Sequence, residues 1–148
     1  MEINRVALEA KVVAFMSDGH FDGRISPKEM RELKREAKGV YNPETLEGNP
    51  EEALLKSIKA ARGFARLAKS EERMRVEERE AFVHQSRGMY QFAMAVAKSV
   101  ELKATGQLIY KEFDEERVEM GRALKAYKKK RVDQERKHSQ IERGIYRG

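Results

Sequence analysis

The chain has 148 residues, 38% charged against 40% apolar, with 31 Lys and Arg, 25 Asp and Glu, three Pro, no Cys and no Trp. Without cysteine, disulfide frameworks, thiolate catalysis, zinc ribbons and iron–sulfur clusters are excluded, and a cytoplasmic location is expected because nothing needs an oxidising compartment. Residues 1–11 mix both charges, so no secretory leader is expected, and the longest nearly uncharged stretch, 88–97, falls far short of the roughly 20 residues that span a bilayer.

Ala, Glu, Lys, Arg, Leu and Met dominate, and no segment alternates apolar and polar residues between turn clusters, which predicts an all-α chain. A first helix is expected over about 2–16, burying Val6, Ala10, Val13 and Ala14. It stops at Ser17-Asp18-Gly19. The next start is well marked: Ser26 caps, Pro27 suits the first helical position, Glu29 completes a capping box, and Gly39 is the expected end. Residues 40–49 are the one clear loop, after which Asn49-Pro50-Glu51-Glu52 repeats the start signal.

From there Leu54, Ile58, Ala61, Ala65 and Ala68 follow the spacing of a helix–helix seam. Ser70 fits equally as a new cap or as a residue inside a continuing helix. Residues 71–80 hold eight charged side chains, with only Met74 and Val76 between them, and are expected to project into solvent or to face another subunit. A second seam, Phe82, Met89, Ala93, Val96 and Val100, runs to about Ala104. Thr105-Gly106 is the expected break. A last long helix carries Ile109, Phe113, Met120, Leu124 and Tyr127. The expected architecture is a bundle of long antiparallel helices with a short N-terminal helix-loop-helix packed at one end: one domain over 1–127 (helix-loop-helix 1–39, long helices 50–127) and a basic extension over 128–148. Such narrow stripes bury little surface alone, which favours a homo-oligomer, most simply a two-fold dimer.

The segment Asp18-Gly19-His20-Phe21-Asp22-Gly23-Arg24-Ile25-Ser26-Pro27-Lys28-Glu29 resembles an EF-hand calcium loop, and with its flanks the resemblance covers residues 9–38. It implies carboxylate ligands at Asp18, Asp22 and Glu29, a backbone carbonyl ligand at Arg24, and Ser26 acting directly or through water, with Ca2+ as the ion. His20 departs from the oxygen ligand the family places third, Ser17 and Lys34 depart from its apolar helix positions, and no second loop follows. Asp-Gly-x-Ile-Ser-x-x-Glu turns of this kind are also similar to those of tellurite-resistance-B-like and phage regulatory helical proteins. Ser26-Pro27-Lys28-Glu29 is also fully explained as a helix start, which leaves Asp18 and Asp22 to carry the metal reading.

Charge is distributed unevenly. Residues 1–121 are nearly neutral at −1, whereas 122–148 hold ten basic and three acidic groups, a net of +7. Lys125, Lys128, Lys129, Lys130, Arg131, Arg136, Lys137, Arg143 and Arg147 therefore form a candidate surface for an anionic partner, nucleic acid or an acidic protein. Helix-dipole complementation accounts for two or three such charges, not ten. No Gly-rich phosphate loop, Gly-x-Ser-x-Gly or His-Glu-x-x-His occurs, so an enzyme is not expected. The expected function is that of a non-enzymatic, oligomeric helical interaction protein, with a calcium-binding regulatory module or a structural assembly component as the alternatives.

Overall fold

The computed structural model describes residues 4–17 and 21–142. Among these, five helices follow in order, α1 (Arg5–Ser17), α2 (Pro27–Val40), α3 (Pro50–Lys69), α4 (Val76–Ser99) and α5 (Lys103–Glu142), with a small hairpin of β1 (Tyr41–Asn42) and β2 (Glu47–Gly48) between α2 and α3. The chain is all-α apart from that hairpin. Both start signals act as their residue types dictate. Ser26 accepts the Glu29 amide at 3.2 Å ahead of Pro27, and Asn49 accepts the Glu52 amide at 3.1 Å ahead of Pro50.

The central element is α3, which packs against α4, α2, α5 and α1. Its seam residues Leu54, Ile58, Ala61, Ala65 and Ala68 are all buried, as are Met89, Ala93 and Val96 on α4, Val100 just after it, and Ile109 and Met120 on α5. Full burial of each large apolar side chain among them contributes about 1.5–3 kcal/mol. These seams face one another within a single chain. The seams are thus filled within one chain, and a second subunit would have to use another surface.

The N-terminal pair packs at the end of the bundle where α3 starts: Lys56 of α3 pairs with Glu36 of α2 at 2.8 Å, and Glu51 pairs with Lys11 of α1 at 2.9 Å. Other expectations are corrected. α1 buries Leu8 and Val12, not Val6, which is 82% exposed, because its apolar residues encircle the helix and packing alone selects the face. α2 runs through Gly39 to Val40, and the following loop folds into the hairpin with Tyr41 opposite Gly48. Ser70 ends α3, its hydroxyl donating to the Leu67 carbonyl at 2.8 Å.

The break before the last helix falls at 100–102, not at Thr105-Gly106. Glu101 takes a left-handed backbone (φ 58°) and the amide of Leu102, itself 2% exposed, returns to the Ala97 carbonyl at 2.9 Å. Thr105 and Gly106 lie inside α5, where Glu9 of α1 accepts the Thr105 amide at 3.3 Å. Residues 71–80 do not simply project either, since Arg79 is only 2% exposed.

Candidate polyanion interface

Two anchors fix where α5 leaves the bundle. Met120 packs with Ala65 and Ala68 of α3. Two turns further on, Tyr127 lies beneath Arg79, whose guanidinium carbon is 4.1 Å from the ring centre. Among the described residues Arg79 has no carboxylate partner. Its nitrogens instead donate to the carbonyls of Ala68 (2.8 Å), Ser70 (2.9 Å) and Glu72 (2.7 Å), so one cation satisfies the negative C-terminal end of α3. The Met74 amide donates to the Tyr127 hydroxyl at 3.1 Å. The charged connection is thereby tied to α5, which is the physical reason it does not float free.

Beyond this latch α5 continues from Tyr127 to Glu142, about 22 Å of helix. Lys125, Lys128, Lys129, Lys130, Arg136 and Lys137 are exposed and Arg131 is half-buried, while Arg143 and Arg147 lie outside the described residues. Arg122, Lys125, Lys129 and Arg136 succeed one another at steps of three, four and seven, which sets them on one face, opposite Met120 and Tyr127. Lys128 pairs with Glu80 at 3.2 Å. Among the described residues Lys125, Lys129, Lys130, Arg131 and Arg136 have no carboxylate partner, so their charge is available to an anion.

The connection adds a residue that sequence reasoning missed. Arg73 joins Tyr127, Lys130, Arg131 and Gln134, with Glu71 at the edge, around a recess of about 290 Å³. A charge run in sequence carries no sign that one of its members folds back onto a helix more than 50 residues later. The Arg79 latch and the Met74–Tyr127 hydrogen bond bring it there.

A larger cleft of about 720 Å³ is lined by α3 and α5, and its cations Arg62, Arg66 and Lys69 each face a carboxylate across it. Arg62 forms a bidentate bridge to Glu112 (2.9 and 2.7 Å) and donates to the carbonyls of Phe21 (3.0 Å) and Met16 (3.2 Å). Burial lowers the Arg62 pKa, but the hydrogen bond and charge of Glu112 outweigh it and leave the guanidinium raised. Tyr90 donates to Glu112 at 2.7 Å, and burial, reinforced by that carboxylate, raises its phenol well above the ordinary value. Lys69 bridges Glu116 (2.6 Å) and Glu119 (2.9 Å). The cluster clamps α1, α3, α4 and α5 together.

In the loop before α2, Asp22 accepts the Arg24 amide at 3.1 Å and pairs with the Arg24 side chain at 2.7 Å. Ser26 donates its hydroxyl to Glu29 at 3.1 Å while accepting the Glu29 amide. Asp18 and His20 lie outside the described residues, and among those described no three Asp, Glu or His side chains gather as a metal cage. Gly23 has a second duty the loop pattern does not reveal. At φ +83° it rests on α3, where a Cβ would stand 2.6 Å from the Arg62 carbonyl oxygen. Gly63 opposite it leaves room for Ile25 and Met30.

Among the described residues no helix is long and apolar enough to cross a membrane. Comparison with known protein families, curated proteins and solved structures finds no match, so the chain's own chemistry carries the functional reading.

Proposed function

We propose that this chain is a non-enzymatic, self-associating interaction protein whose last helix presents a basic surface to a polyanion such as nucleic acid. The observation that carries this reading is the projecting end of α5, where Lys125, Lys129, Lys130 and Arg136 stand exposed without carboxylate partners among the described residues. A helix that only needed solubility would intersperse both signs, as α5 does in its first half with Glu112, Asp114, Glu115, Glu116 and Glu119. Excess cations at one end instead attract phosphate backbones through counterion release, without reading base sequence.

The test is retention of the full chain on immobilised heparin and on duplex DNA, compared with a variant carrying Lys125→Gln, Lys129→Gln, Lys130→Gln and Arg136→Gln. The variant keeps its helical circular dichroism and elutes at much lower salt. Unchanged elution would refute the assignment of the surface.

A further inference from the structure

Where α4 turns into α5, two surface features of opposite character complement each other. The first is a groove of about 510 Å³ with Met94, Leu102, Gly106 and Tyr110 in its lining, and Tyr110 is 58% exposed. Its rim is positive. Lys98 and Lys103 have no carboxylate partner among the described residues, whereas Glu101 is neutralised by Arg5 at 3.0 Å.

The second feature is the tip of the hairpin. Leu46 is 58% exposed at φ 63°, a backbone region that leucine rarely adopts, and it is flanked by Glu44 and Glu47, both exposed and unpaired among the described residues. The tip is held rigid. The Leu46 amide donates to the Asn42 carbonyl at 2.8 Å, the Glu44 amide to Asn42 Oδ1 at 2.8 Å, and buried Tyr41 bonds Ser99 at the end of α4 at 2.7 Å. One apolar side chain between two carboxylates thus matches an apolar groove between two ammonium groups, and its ordering is already complete before contact.

We propose that a second copy of this chain fills the groove, Leu46 of each copy seating beside Met94, Leu102 and Tyr110 of the other, with Glu44 and Glu47 against Lys98 and Lys103. The two features can serve each other reciprocally because they flank one surface. Ser99, bonded to the hairpin, and Lys98, on the groove, lie four and three residues beyond Ala95, which sits between them on the outer face of α4. Ala81, Gly88 and Ala95, all exposed and seven apart, keep part of that face low, with His84 and Gln91 as the exposed polar side chains beside them. A two-fold axis parallel to α4 sets each hairpin against the other copy's groove and closes the contact as a dimer instead of an open chain. The inference deepens the self-association in the proposed function and is independent of polyanion binding.

Sedimentation of the full chain over a concentration series tests it. The wild type sediments as a dimer, Leu46→Asp as a monomer, and each charge reversal (Glu44→Lys with Glu47→Lys, or Lys98→Glu with Lys103→Glu) dissociates it alone, while mixing the two reversal variants restores association. A wild type that stays monomeric leaves the groove to another kind of partner and overturns the proposal, as does a dimer indifferent to these changes. Heparin retention of the wild type and Leu46→Asp, read in parallel, separates the two readings: a monomer that binds heparin sinks this proposal together with the self-association it rests on but leaves the polyanion surface standing, and a dimer that ignores heparin sinks only the polyanion surface.

Discussion

Replacing Arg79 with methionine keeps most of the buried aliphatic volume but removes the guanidinium that joins three carbonyls, at 2.7–2.9 Å, to the Tyr127 ring. Hydrogen bonds from a charged donor contribute about 1.5–3 kcal/mol each, and the ring contact about 1–2 kcal/mol. Against this stands the desolvation of a buried cation, several kcal/mol, and Arg79 Nε finds no acceptor, so part of that penalty is not recovered. The carbonyls of Ser70 and Glu72, near the surface, regain water once the cation is gone. The net loss is therefore about 2–4 kcal/mol, or roughly 5–12 °C in Tm for a domain of this size. Urea unfolding measures it. Arg79→Lys, which keeps the charge but loses the fork, should recover less than half of the loss. A double-mutant cycle with Tyr127→Ala should show coupling of about 1 kcal/mol or more. If Arg79→Met unfolds within about 0.5 kcal/mol of the wild type, the latch does not hold the connection to α5 and the reasoning fails.

Three further outcomes follow from particular contacts. Gly23→Ala meets both a left-handed backbone and the Arg62 carbonyl and should lower stability by about 2 kcal/mol, whereas Gly121→Ala, with nothing within 4 Å, should raise it by about 0.5–1 kcal/mol in the same denaturation assay. Tyr90 holds its proton more tightly when folded, so its contribution is complete below the unfolded phenol value near 10 and declines as pH rises toward the higher folded one. Tyr90→Phe should be less stable at neutral pH, through loss of the Glu112 bond, yet lose less stability between about pH 10 and 11.5; parallel alkaline slopes would contradict this. Calcium at millimolar concentration should leave Tm unchanged if Ser26 and Glu29 serve only as a helix cap, and a rise abolished by Glu29→Gln would instead establish the loop as an ion site.

What could be read from the sequence was what local chemistry decides. Ser26-Pro27 and Asn49-Pro50 start helices because capping oxygens and a missing amide act within one turn. The seams of α3 and α4 were legible because their apolar residues keep to one stripe. The stripe of α1 was not, since Val6, Leu8, Val12 and Val13 offer more than one face and the neighbours choose. Gly106 misled because glycine at modest cost can sit within a helix, while Glu101 adopted the left-handed turn for the sake of burying Leu102. At the candidate interface, the excess of Lys and Arg over 125–137 is visible in composition. The inward turn of Arg79 and the arrival of Arg73 beside Lys130 are not, because both depend on where α3 ends relative to Tyr127.

The dependence of duplex-DNA affinity on salt tests the polyanion surface most directly. If Lys125, Lys129, Lys130 and Arg136 each neutralise one phosphate, log K falls against log salt with a slope of about −3.6, and the four-fold glutamine variant flattens that slope toward zero. A slope near zero for the wild type, or one that the four substitutions leave unchanged, would contradict the account.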